Sequence, residues 1–96
     1  MNEFERIAYW LLAGSKGGSN RARILSIVVK KPMNSNKLSE KMKVDYKTIA
    51  HHVELLEKNG LVYSTSNKYG KMFFPSQQFE SSKEILNLVK KVMKDE

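Results

Sequence analysis

From Asp45 to Val62 the chain reads DYKTIAHHVELLEKNGLV. An aspartate able to cap a helix is followed by an apolar stripe at Ile49, Val53 and Leu56, with Leu55 beside it. The run stops at Asn59-Gly60, where a left-handed residue costs glycine least. These spacings predict a helix from Tyr46 to about Asn59. With its stripe turned inward at about 100° per residue, Tyr46, Lys47, Ala50, His51 and Glu54 are left facing outward.

The flanking segments give this helix its context. Upstream, PMNSNKLSEKM (32–42) offers Asn34 or Ser35 as the cap of a short helix reaching about Met42 and burying Leu38 and Met42. Residues 36–59 then form a helix-turn-helix pair. Downstream, LVYSTS and KMFFPS are β-branched or aromatic runs around an N-K-Y-G turn, which predicts a hairpin with Pro75 at its exposed edge or end. Earlier still, Asn20 or Ser19 can cap a helix carrying Ile24, Leu25, Ile27 and Val28, which Pro32 ends. At the start, Phe4, Ile7, Ala8, Leu11 and Leu12 share one face of a helix to about Ala13, capped by Gly14. At the end, from about Ser81, Ile85, Leu88, Val89 and Val92 form a stripe that Leu86 and Met93 widen. The fold class expected is mainly α with a small β-hairpin: a winged helix-turn-helix with N- and C-terminal dimerisation helices. At 96 residues it is expected to be a single domain, 1–96. Its parts are an N-terminal helix (1–13), a helical core (20–59), a wing (61–76) and a C-terminal helix (81–94).

The charge balance points to an anionic partner. Lys and Arg number 17 against 10 Asp and Glu, a net +7. Residues 14–31 alone hold Lys16, Arg21, Arg23, Lys30 and Lys31 with no carboxylate. The absence of cysteine removes disulfides, thiolate metal sites and cysteine nucleophiles. His51 and His52 diverge by about 100° on a helix and nothing completes a coordination set, so neither metal nor cofactor is expected. His52 is instead expected at the edge of the core, bonded to backbone or to the preceding helix. No nucleophile–base pair can be assembled, so the chain is not read as an enzyme. The apolar run Ile7–Gly14 falls far short of the roughly 20 residues a membrane span requires. Acidic Glu3 and Glu5 stand where a signal peptide would carry positive charge. The chain is read as soluble and cytoplasmic.

The outward face of the 46–59 helix suits double-stranded DNA. Lys47 can meet a phosphate or a guanine edge, His51 a base edge, and small Ala50 permits close approach. Thr48 and the helix-start amides suit phosphate. In the wing, Lys68, Tyr69 and Lys71 can lie along the sugar–phosphate backbone. The corner from Lys16 to Arg21 can hold an anion at a helix start, or can simply let the first helix fold back. Apolar excess on the terminal helices, at Phe4, Trp10, Leu86, Val89 and Met93, points to a two-fold homodimer. Its two reading helices would lie about 34 Å apart on a pseudo-palindromic site. The alternative is a winged-helix module that docks another protein and reads no DNA sequence.

VDYKTIAHHVELLEKNGLV followed by YGKMFFPS resembles the winged helix-turn-helix of the ArsR family. GGSNRARIL, PMNSNKLSEKM and DYKTIAHH together resemble an archaeal branch of ArsR-like transcriptional regulators. The likeness spans about residues 14–76. It implies a DNA-binding regulator, usually a homodimer through its terminal helices, with the helix at Asp45-Tyr46 as the reader. Metal-sensing members of the broad family use cysteine thiolates, so that sensing chemistry is not implied here. Lys16 stands where the branch tends to have arginine, which keeps the charge and gives up two-pronged phosphate geometry.

Overall fold

The first turn of a helix leaves N–H groups without partners, and in this chain short polar side chains supply most of the acceptors. The computed structural model describes residues 1–68 and 70–94. Helix α1 (Glu3–Tyr9) opens with a reciprocal cap. Asn2 Oδ1 accepts from the Glu5 amide at 2.8 Å, and Glu5 Oε1 accepts from the Asn2 amide at 3.2 Å. Helix α3 (Ser35–Met42) is capped by Asn34, and α4 (Tyr46–Lys58) by Asp45, whose Oδ2 lies 3.1 Å from the Thr48 amide.

Two boundaries differ from the sequence expectation. Gly14 does not cap the first helix, because α1 runs on through a π-helical turn, Trp10–Gly14, and ends at Ser15. Helix α2 (Gly18–Lys30) starts ahead of Ser19 and Asn20, after Gly17 in the left-handed region at φ +88°. The reason is close approach: a Cβ at Gly18 would collide with the Leu12 carbonyl, so the start of α2 rests directly on the π turn.

The corner between α3 and α4 turns at Lys43, left-handed at φ 56°. Ser39 holds it, its hydroxyl donating to the Val44 carbonyl at 2.6 Å. Strands β1 (Val62–Asn67) and β2 (Gly70–Pro75) pair antiparallel, Val62 opposite Pro75 and Asn67 opposite Gly70, so Pro75 sits at the strand end. The connector at Met33 adds a third, one-residue partner, accepting from the Phe73 amide at 3.0 Å. A single-turn helix, α5 (Gln77–Glu80), follows the wing and buries Phe79 completely. It was not expected, since one turn is too short to show periodicity.

Helix α6 (Lys83–Lys94) is capped by Ser82. The Ser82 hydroxyl also donates to Glu5 Oε2 at 2.6 Å, tying the last helix to the first. That hydrogen bond, with the Asn2 backbone second, holds the Glu5 carboxyl below the usual carboxylate range. Helix α2 lies at the centre, packed on the π turn, α4, α6 and β2. Its Ile24, Leu25 and Val28 meet Leu38, Leu56 and Ile85 in one core with no exposure. Burying each such side chain is worth about 1.5–3 kcal/mol.

Candidate nucleic-acid interface

Helix α4 divides its side chains between two environments. Ile49, Val53 and Leu56 are buried, and His52 joins them. Tyr46, Lys47, Thr48, His51 and Glu54 are exposed, while Ala50 is half-buried. The Thr48 hydroxyl points back to Asp45 Oδ2 at 3.4 Å, reinforcing the cap.

Beside this face lies a groove of about 470 Å³. Helix α4 contributes Tyr46, Ala50 and Glu54, the start of α3 contributes Asn34, Ser35 and Asn36, and the wing contributes Gly70 and Lys71. Glu57 also lines it and accepts from the Ser64 hydroxyl at 2.6 Å, which fixes the wing to the helix. The structure therefore brings Tyr46, Ala50, Glu54 and Lys71 around one cavity. Lys47, Thr48 and His51 are exposed on the same helix without lining it. Lys68 and Lys16 are exposed; Tyr69 lies outside the described residues. With an ammonium, two carboxylates and the Asn34 and Asn36 amides, the groove offers hydrogen-bond donors and acceptors together.

Arg21 must be removed from the set of backbone-contacting cations. It is only 3% exposed, and its donors are used inside the molecule. Its Nε donates to the Leu11 carbonyl at 2.9 Å. Its Nη2 donates to Ser15 Oγ at 2.6 Å and to the Lys16 carbonyl at 3.0 Å. Its Nη1 lies 3.1 Å from His52 Nδ1. These acceptors are neutral, and the Leu11 carbonyl belongs to the C-terminal end of the first helix, where the backbone dipole favours a cation. Burial lowers the Arg21 pKa. Of the two readings left open for the Lys16–Arg21 corner, the structural one describes Arg21: it pins the fold-back of the first helix.

His52 is corrected with it. The residue is buried as expected, but its partner is neither backbone nor the preceding helix α3; it is Arg21 of α2. Because the guanidinium can only donate, Nδ1 must accept, so the imidazole is neutral with its proton on Nε2. Burial first, then the Arg21 charge, then His51 push the His52 pKa down. Glycine is required at position 17 for the same contact, since a Cβ there would lie 2.8 Å from the imidazole Cε1. The signal missed in the sequence was the pairing of an arginine in the second helix with a histidine on the inner face of the fourth, 31 positions apart.

The proposed dimer residues separate as well. Trp10 is 60% exposed, whereas Phe4, Leu86 and Met93 are half-buried. Val89, at 5% exposure, is spent in the chain's own core and is withdrawn from that set. Among the described residues, no helix is long and apolar enough to cross a membrane.

With helices ahead of a two-stranded wing and a closing C-terminal helix, the chain has the winged-helix fold of transcriptional regulators. HlyU from Vibrio cholerae N16961 superposes with a TM-score of 0.67 at 16% identity, covering 97% of this chain and 96% of that one. A MarR family protein from Bacillus stearothermophilus gives 0.67 at 18% identity, covering 96% of this chain and 65% of that one. The transcriptional regulator Tm0710 from Thermotoga maritima gives 0.63 at 17% identity, covering 96% and 66%. No protein of curated function matches the sequence. Residues 12–72 match the family model for the N-terminal domain of the methanogenesis regulatory protein FilR1, and the chain belongs to that family.

Proposed function

We propose that this chain is a sequence-specific double-stranded DNA-binding transcriptional regulator of the ArsR-like type, acting in the cytoplasm as a homodimer. Helix α4 enters the major groove and the wing lies on the phosphate backbone. The observation that carries this reading is the split of α4: one face locked into the core, the other exposed beside the wing. A reading helix must be rigid on one side and free on the other.

The roles follow from chemistry. Lys47 and His51 meet base edges or phosphate, and half-buried Ala50 lets the groove floor approach the backbone of α4. Glu54 repels phosphate and accepts from a cytosine amino group. Lys68 and Lys71 neutralise phosphates from the wing, with exposed Lys16 as a further candidate. Trp10 is the leading dimer contact, and a two-fold dimer would read two half-sites about 34 Å apart.

Selection of bound fragments from random duplex DNA tests the proposal. A pseudo-palindromic consensus, with affinity falling steeply as salt rises from about 50 to 200 mM, is the expected result. Recovery of unselected fragments, or a flat salt response with a protein partner held on the Tyr46–His51 face, would overturn it in favour of a protein-docking module.

A further inference from the structure

A second groove, on the side of the molecule built from α2 and α6, has a composition that the DNA-binding reading does not use. Its volume is about 540 Å³, with Phe79 and Val89 at its base. Val29 of α2 faces Leu86 and Met93 of α6 across it. Val29 is 42% exposed, so this apolar surface is open to water. Three exposed lysines edge the apolar surface: Lys30 on the last turn of α2, and Lys90 and Lys94 one turn apart on α6. Among the described residues, no carboxylate lines the groove.

Charge decides what can cover it. A second copy seated by two-fold symmetry would bring the same three lysines against these three, cation on cation, since such an interface pairs a patch with itself. An apolar body carrying a negative head satisfies both features, burying the valine–leucine–methionine surface while the head accepts from the ammonium groups. From Leu86 to Lys94 the helix rises about 12 Å, at 1.5 Å per residue. That length accommodates a medium-chain acyl or compact aromatic body. We propose that the α2–α6 groove binds a small amphipathic monocarboxylate, its apolar part along Val29, Leu86 and Met93 and its carboxylate among Lys30, Lys90 and Lys94. The site is independent of the reading face and takes Leu86 and Met93 out of the expected dimer contact, which then rests on Trp10 and Phe4; its test involves no DNA.

Calorimetric titration of the whole chain with sodium octanoate, kept below its micelle concentration, decides the matter. Saturable binding of one octanoate per chain is expected, with octanol weaker by at least about tenfold and octyltrimethylammonium not bound. Val29→Trp, at a position already open to solvent, fills the groove and should abolish the heat while circular dichroism stays unchanged. Lys90→Ala with Lys94→Ala removes two exposed charges and should weaken octanoate at least about tenfold, with Lys37→Ala on α3 as the neutral control. Unsaturable heat, octanol binding as tight as octanoate, or octanoate binding that survives the double lysine variant overturns the proposal. A drop in particle mass on Val29→Trp with octanoate binding intact also overturns it, and assigns the groove to a second copy.

Discussion

The Arg21 guanidinium on α2 lies 3.1 Å from Nδ1 of His52 on α4, and the contact is buried. It is the point at which the folded-back first helix, the central helix and the proposed reading helix are joined. Leu11, Ser15 and Lys16 hold three further N–H donors of Arg21, so the orientation of its fork is fixed independently of His52.

Arg21→Ala should therefore act on stability. It strands the Lys16 carbonyl and His52 Nδ1 and leaves the Leu11 carbonyl with the longer Ser15 hydroxyl bond at 3.4 Å, and leaving buried acceptors unpaired costs about 1–3 kcal/mol each where water cannot replace the donor. With partial hydration of the corner, a loss of about 2–4 kcal/mol is expected in urea unfolding. Arg21→Lys should recover only part of it, since an ammonium cannot reproduce the fork. An Arg21→Ala protein as stable as the parent, and weakened only in DNA affinity, would restore Arg21 to the backbone-contacting set.

The same contact sets a pH dependence. Burial and the Arg21 charge lower the His52 pKa in the folded chain, while the unfolded value stays near about 6.5. Between the two values the unfolded chain binds more protons than the folded one, so unfolding free energy rises with pH there. The contribution is complete above about pH 6.5 and is lost as pH falls below it through the folded value. Urea midpoints measured across this window should show the decline in the parent chain. In His52→Gln, whose amide oxygen can still accept from Arg21, that component should vanish; an identical decline in both would place the titration elsewhere.

On DNA, wing and helix should behave differently. Lys68→Ala together with Lys71→Ala should weaken all duplexes alike and lower the magnitude of the log–log salt slope by about 0.9 for each phosphate that is no longer neutralised. His51→Ala should cost about 1–3 kcal/mol at the preferred site and little on random sequence. Equal losses on specific and random DNA from both variants would refute this division of labour.

Trp10 stands 60% exposed on the π turn, its ring against Gly14. Trp10→Ala should leave unfolding of the single chain within about 0.5 kcal/mol of the parent, as surface changes do. Light scattering should show the dimer shifting toward monomer. An unchanged dimer mass would remove Trp10 from the interface.

Much of the candidate interface was readable along the chain because it depends on one helix. Asp45 as cap, Gly60 as stop and the Ile49–Val53–Leu56 stripe are local signals, and together they set which residues of α4 face outward. The hairpin was similarly local, with Pro75 at a strand end, while its register came from the structure. What escaped was either too short to have a period, as with α5, or formed by partners far apart, as with the Met33–Phe73 bridge and the Ser82–Glu5 bond.

The sequence by itself determined the order and kind of the longer elements, the cationic balance and the outward residues of α4, because helix period, capping chemistry and charge act between neighbours in the chain. Only the tertiary structure decided that Arg21 is a buried pin, that His52 answers it from α4, and that Val89 belongs to the core. A charged side chain looks the same in sequence whether it meets water, phosphate or a carbonyl. Its fate is set by which backbone groups the fold leaves unpaired within its reach, and here the close approach of Gly17 and Gly18 to the first helix placed those groups around a guanidinium.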